Sequence, residues 1–188
     1  MAGSGRNFFV ITGGPGAGKT TLLEELRRRG VACVGESARR IIQTQREFGG
    51  RALHSVDPAL YAELMLQYDV ASYLAADQNV ATVFDRSVID TLGYPEFMGL
   101  PTPAHFRTAA ARCRYNPAVF IAPPWEEIYV HDAERKHSLA EARRGYEAAV
   151  TIYGAQGYRL VELPRISVEE RAEFVLERIR AADGNGSP

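Results

Sequence analysis

An α/β domain built on a mostly parallel sheet is the expectation for this sequence, and three observations support it. Short apolar runs alternate with longer segments of helical period, the pattern of successive β-α units. A glycine-rich turn, Gly13 to Thr20, separates the first apolar run from a helical segment. The 188 residues, 46% hydrophobic and 24% charged, suit one domain, because two would each be undersized. A chain of this length buries roughly 70% of its unfolded surface, enough for a core without metal or disulfide staples.

Strands are expected at about 7–12, 31–35, 80–85, 117–121 and 158–162, forming one layer. Helix starts between them carry chemical punctuation. Ser138-Leu-Ala-Glu141 and Ser167-Val-Glu-Glu170 fit the capping box, and Asp57-Pro58 and Thr102-Pro103 fit a cap before a proline at the first helical position. The segment after Asp57 repeats Leu60, Leu64, Tyr68, Ala71 and Ala75 as an apolar stripe, with its tyrosines read as core. The helix after Ser138 carries Leu139, Ala142, Tyr146, Ala149, Val150 and Tyr153. The last one carries Val168, Ala172, Val175, Leu176 and Ile179. Residues 48–56 and 123–137 read as loops long enough to serve as lids or binding loops. Residues 7–182 are expected to form the domain, with flexible ends at 1–6 and 183–188.

Twenty-two basic and 23 acidic residues leave a formal charge of −1, which provides no global field for nucleic acid or anionic lipid. Two cysteines, Cys33 and Cys113, are too few for a disulfide framework and lack metal-type spacing. With no signal-like leader and no apolar run of membrane-spanning length, a soluble cytoplasmic protein is expected, as a monomer or homodimer.

Gly13-Gly14-Pro15-Gly16-Ala17-Gly18-Lys19-Thr20 fits G-x-x-x-x-G-K-[ST], following an expected strand and opening a helix. Glycines let the backbone curl so that its N–H groups point at phosphate oxygens, and the helix adds its positive end. Lys19 can then reach the β- and γ-phosphates and Thr20 can place its hydroxyl on Mg²⁺, with Thr21 completing the nucleotide-binding stretch. Residues that end the strands are the natural partners of such a loop. Asp85 closes an apolar run and can hold Mg²⁺ or its water shell; Arg86 follows it, and Ser87 can cap a helix there. Glu36 ends the second strand, where it can serve as general base for an attacking hydroxyl or favour the first turn of the next helix. Arg39 and Arg40 are consecutive, so at most one is expected to point into the cleft, and Arg39 is chosen. Arg135, in the second long loop, can bring a planar cation to the transferring phosphoryl group. Trp125 either stacks on a base or packs, packing being favoured, and His54, His105, His131 and His137 lack metal-ligand spacing.

Taken together, Ile11-Thr-Gly-Gly-Pro-Gly-Ala-Gly-Lys-Thr-Thr21, Gly35-Glu-Ser-Ala-Arg-Arg-Ile-Ile42, Val83-Phe-Asp-Arg-Ser-Val-Ile-Asp90, Tyr158-Arg-Leu-Val-Glu-Leu-Pro164 and Ser167-Val-Glu-Glu-Arg171 resemble the small predicted bacterial AAA-type ATPases. These are relatives of the nicotinamide riboside kinase domain and of deoxynucleoside kinases. Over about residues 8–180 the resemblance implies a P-loop NTPase fold with strand order 2-3-1-4-5. It also implies Glu36 as base, Asp85 as metal-side carboxylate, and Arg86 and Arg135 as phosphate-binding groups. Ser37 stands where the nicotinamide riboside kinases have a tyrosine, so that substrate does not carry over. The expected activity is Mg²⁺-dependent transfer of the γ-phosphoryl group of ATP to a small, nucleoside- or nucleotide-like acceptor held by Glu36, Arg39 and Arg86. The alternatives are an NTPase whose acceptor is water and a nucleotide-sensing module.

Overall fold

Every residue of β1 (Phe8–Gly13) is buried, so this strand must lie in the middle of the sheet with both faces covered. Phe8 and Val10 join one apolar cluster and Phe9 and Ile11 the other, as alternation along a strand requires. The computed structural model describes residues 5–128 and 139–184. Its elements run β1, α1 (Lys19–Arg28), β2 (Ala32–Val34), α2 (Ser37–Glu47), α3 (Pro58–Ala75), β3 (Thr82–Asp85), α4 (Val88–Phe97) and α5 (Ala104–Arg112). After these come β4 (Ala118–Ala122), α6 (Leu139–Ala155), β5 (Arg159–Glu162) and α7 (Val168–Gly184).

The sheet order is β2-β3-β1-β4-β5 and every pairing is parallel. Residues of α1 and α7 share a cluster with Phe9, Ile11, Val83 and Phe120 on one face; α2 to α6 cover Phe8, Val10, Phe84, Val119 and Ile121 on the other. The register pairs Ile11 with Asp85, which brings the end of β3 alongside the glycine turn that leaves β1. No described helix is long and apolar enough to cross a membrane. Both cysteines are free thiols.

Capping explains several boundaries. The Asp57 carboxylate accepts from Leu60 N–H at 3.1 Å ahead of Pro58. At α7, Glu170 N–H donates to Ser167 Oγ while Glu170 accepts from Ser167 N–H. At α5 the cap is Pro103 and no side chain bonds the helix end, so Thr102 does not cap. Ser138 lies outside the described residues.

The stripe expected on α3 is rotated. Tyr61, Ala62, Met65, Leu66 and Tyr73 are buried, whereas Leu60, Ala71 and Ala75 are exposed. This helix is apolar on nearly every side, so hydrophobic period alone does not choose its inner face. Tyr61 packs edge-on to Tyr94 and Tyr73 edge-on to Phe8, and these rings fix the orientation. On α6, Ala142, Ala149 and Tyr153 are buried but Val150 is exposed.

Candidate active site

The turn after β1 is shaped by close approach. A Cβ on Gly14 would collide with the carbonyl of Ala142, so only glycine lets α6 rest on the loop. Gly18, with φ of 73°, adopts the left-handed backbone that delivers the chain into α1. The side chain of Lys19 folds back over the loop, its Nζ donating to Gly13 O at 3.2 Å and Gly14 O at 2.7 Å. Burial, helped by the neighbouring Arg86 charge, pulls its pKa down to about 8. Beneath the loop, Arg171 is 3% exposed and donates from Nη2 to Ala17 O at 3.3 Å, and its guanidinium lies 5.8 Å from the Trp125 ring centroid. Trp125 is therefore occupied by a protein cation, in keeping with packing.

Three strand ends meet beside this loop. Asp85 is 8% exposed, and its Oδ1 is buried without a hydrogen-bond partner. Burial and the nearby Glu36 charge push its pKa up to about 6 against the pull of Lys19 and Arg86. A buried carboxylate oxygen with no donor fits a divalent cation, and Thr20 lines the same concavity. Among the described residues no group of three His, Cys, Asp or Glu could hold a metal unaided. The donor set instead suits Mg²⁺ completed by phosphate oxygens and water.

Arg86 is the sole described residue other than glycine with positive φ, 65°, a conformation that costs about 1–3 kcal/mol. Its guanidinium explains why the strain persists. Nε donates to Glu36 Oε1 at 2.9 Å, Nη1 to Asp90 Oδ1 at 3.3 Å and Nη2 to Gly13 O at 3.0 Å. Burial opposes the Arg86 charge, but Glu36, Asp90 and Asp85 hold its pKa above the ordinary value. Burial likewise opposes the Glu36 charge, yet Arg86, Lys19 and Arg39 together hold its pKa below the usual carboxylate range. Glu36 is thus an ionised acceptor at neutral pH.

Asp90 gathers four donors. Its Oδ1 accepts from the Thr12 hydroxyl and Arg86 Nη1, and its Oδ2 from Ser87 N–H at 2.9 Å and the Tyr153 hydroxyl. Ser87 Oγ accepts from Ile89 N–H at 3.0 Å, closing a capping box at the head of α4. One carboxylate therefore ties β1, α4 and α6 together. The Ser87-x-x-Asp90 spacing is a capping-box signal that sequence reasoning left unused. Arg171 stood in one of the segments carrying the resemblance, but nothing in its spacing pointed to a place under the loop.

Glu36, Arg39 and Asp85 line one concavity of about 210 Å³ together with Thr20, Leu23, Arg27, Gly35, Arg40 and Gln43. Both Arg39 and Arg40 border it, so the expectation that at most one would do so is corrected: the cleft is open enough at the start of α2 to admit neighbouring side chains. Arg40 also lies 5.6 Å from the Tyr68 ring centroid. Gly13 to Thr21 form the loop and the first turn of α1 as expected. Arg135, His131 and His137 lie outside the described residues. His54 and His105 are exposed, and His105 Nε2 is 2.9 Å from Glu63.

Residues 8–171 match the AAA domain family. Among solved structures the chain is similar to the NadR protein in complex with NR, at 21% identity and a TM-score of 0.63, over 95% of this chain and 53% of that one. It therefore spans about half the length of NadR. It is also similar to deoxyadenosine kinase from M. mycoides with dCMP and dCDP bound, at 13% identity and a TM-score of 0.62, over 93% of this chain and 99% of that one. Shikimate kinase from Acinetobacter baumannii in complex with shikimate gives 14% identity and a TM-score of 0.54, over 93% of each chain. At these identities the likeness is one of fold, that of the P-loop kinases. No curated protein matches this chain in sequence.

Proposed function

This chain belongs to the AAA domain family, and we propose that it is a Mg²⁺-dependent kinase moving the γ-phosphoryl group of ATP to a small-molecule acceptor, nucleoside- or nucleotide-like. The observation that carries this reading is the shared concavity. It holds an ionised acceptor group, Glu36, beside a buried carboxylate oxygen with no partner, on Asp85, at the mouth of the glycine loop. The relatives lend support, since a nucleoside kinase and a shikimate kinase share the fold and NadR is also known with NAD and AMP-PNP.

In the proposed reaction the loop amides from Gly13 to Thr21 cradle the phosphates. Lys19 exchanges its bonds to Gly13 and Gly14 carbonyls for β- and γ-phosphate oxygens. Thr20 and Asp85 would hold Mg²⁺, which would supply positive charge to the phosphates. Glu36 accepts a hydrogen bond from the acceptor hydroxyl, aligning its oxygen on the γ-phosphorus, and takes the proton as the new P–O bond forms. The bond to the β,γ-bridging oxygen breaks and its electron pair leaves with ADP. With its pKa held low, Glu36 is a weak base but a good orienting group, which suits a transfer that depends on positioning. Arg86 holds Glu36 in place, Arg39 faces the acceptor, and Arg135 is assigned to the developing phosphoryl charge.

Incubation with ATP, Mg²⁺ and a pooled metabolite library, read by mass spectrometry, tests this. The expected result is one class of molecule gaining a single phosphate, with ADP formed in equal amount. Glu36→Gln should slow that transfer by about 10²-fold or more while leaving ATP affinity nearly intact, and Lys19→Ala should weaken ATP binding itself. ADP and free phosphate formed without any acceptor would instead make water the acceptor. ATP retained unchanged would make the protein a nucleotide-sensing module.

A further inference from the structure

Arg27, at the end of α1, is followed by Arg28 and Arg29, and both of these are taken by Glu25 at 2.8 and 2.7 Å. Among the described residues Arg27 has no carboxylate within ion-pair distance. It turns the other way, so that a Cβ on Gly35 would lie 3.7 Å from its Nη2, which sets the guanidinium against the turn that leads to Glu36. Across the same concavity stand Arg39 and Arg40 from the first turn of α2, also without a carboxylate within ion-pair distance among the described residues, and Gln43 one turn on. Among the described residues the acids lining the space are Glu36, already bonded to Arg86, and Asp85, which fits the metal.

Three exposed guanidiniums therefore border one small cavity, none of them in an ion pair among the described residues, and Glu36, whose charge Arg39 favours, is already bonded to Arg86. Holding like charges together is unfavourable unless something anionic joins them, and this chain, at −1 overall, has acids to spare elsewhere. An arginine carries five donors and no acceptor in a planar fork that matches a carboxylate or phosphate, so three of them beside one concavity favour an anionic group. A volume of about 210 Å³ admits a compact group and not a polymer.

We propose that the acceptor is itself anionic, and that Arg27 and Arg40 together with Arg39 hold its phosphate monoester or carboxylate while its hydroxyl reaches Glu36. The inference rests on the kinase reading and narrows it: the protein adds a phosphate to a molecule that already carries a negative group. Arg27 and Arg40 are then specificity-determining residues that touch the acceptor and not the reacting atoms.

The test uses the full chain saturated with Mg²⁺ and AMP-PNP, titrated calorimetrically with matched probes: uridine against UMP for the phosphate, and shikimate for the carboxylate. The expected result is that one anionic probe binds at least tenfold more tightly than neutral uridine, and that the Arg27→Gln, Arg40→Gln double variant erases that preference. In turnover with whichever acceptor the metabolite pool yields, the double variant should raise KM at least tenfold with kcat changed by less than about threefold. Equal binding of charged and neutral probes, an unchanged KM in the double variant, or a neutral acceptor from the pool would each overturn the proposal and leave the kinase reading intact. Absence of heat from AMP-PNP itself would strike the kinase reading instead, so the two failures are distinguishable.

Discussion

Asp85 and Asp90 stand five residues apart, one at the end of β3 and the other in the first turn of α4, and they are treated in opposite ways. Asp90 receives four donors from three elements, Arg86 among them. Asp85 keeps a buried oxygen with no donor at all. Burying an unmet polar atom costs on the order of 1–3 kcal/mol, so a folded chain tolerates it where a ligand is to supply the missing partner. The difference separates frame from candidate site: groups that the protein satisfies hold the loop and strand ends in register, and groups that it leaves unmet are the ones the proposed reaction assigns to reactants. Lys19 leans to the second class, its donors held only by loop carbonyls that a triphosphate can replace.

The largest expected effect tests the unmet side. Asp85→Asn should lower Mg²⁺-dependent turnover by at least about 10²-fold, because an amide is a poor ligand for a hard cation. Stability should move the other way. With a folded pKa of about 6 against 3.8 unfolded, the Asp85 carboxyl favours the fold at low pH, and that contribution is lost as pH rises through 6. At pH 7.5 the asparagine variant should therefore unfold at equal or higher denaturant concentration than the parent. Lower stability together with lower activity would place Asp85 in the frame.

Asp90→Ala should do the reverse. Four donors lose their acceptor, and Thr12, Ser87 and Tyr153 are all buried. The expected loss is about 2–4 kcal/mol, read as a shift in the urea midpoint without a change in slope. Arg86 would lose one of the bonds that offset its strained backbone. Asp90→Asn keeps one good acceptor and should cost less. A stability loss below about 1 kcal/mol in the alanine variant would dissolve the contrast between the two aspartates.

Much of this contrast was legible along the chain, and the illegible part has a common cause. The Lys19 loop, the Asp85 strand end and Glu36 just after β2 each follow from local pattern, because a charge after a short apolar run marks where a strand stops. The strand order came from resemblance, since local periodicity says nothing of which strands become neighbours. Asp90 sat in a visible capping-box spacing, but its bonds to Thr12 and Tyr153 cross 78 and 63 residues and exist only once the sheet and α6 close on it. The α3 stripe was placed on Leu60 and Leu64 when the ring packing of Tyr61 and Tyr73 decides the face. Pairwise contacts of that kind, like the bond from Arg171 to Ala17, leave no trace in spacing.

Asp69, on α3, sharpens the comparison because it falls between the two extremes. It accepts hydrogen bonds from the Thr91 and Ser37 hydroxyls, yet among the described residues no cation pairs with it, and Asp90 and Glu36 add repulsion. Burial is the first cause and these two carboxylates a lesser one, together pushing its pKa up to about 6 from 3.8. The sign follows from proton binding: the folded state holds the proton more tightly than the unfolded one, so stability from this group is complete below about pH 4 and is lost as pH rises through 6. Asp69→Asn removes that loss while still offering Thr91 an oxygen. It should leave stability nearly unchanged at pH 4 and raise it by about 1–2 kcal/mol at pH 7.5, measured by urea denaturation at both values. Asp85 titrates over the same range, so the single variant should flatten the pH dependence only in part, and the Asp69→Asn, Asp85→Asn pair should flatten it further. An Asp69→Asn variant that is less stable at pH 7.5 than the parent would mean that the two hydroxyls stabilise the charged carboxylate more than burial opposes it, and Asp69 would then join Asp90 in the frame.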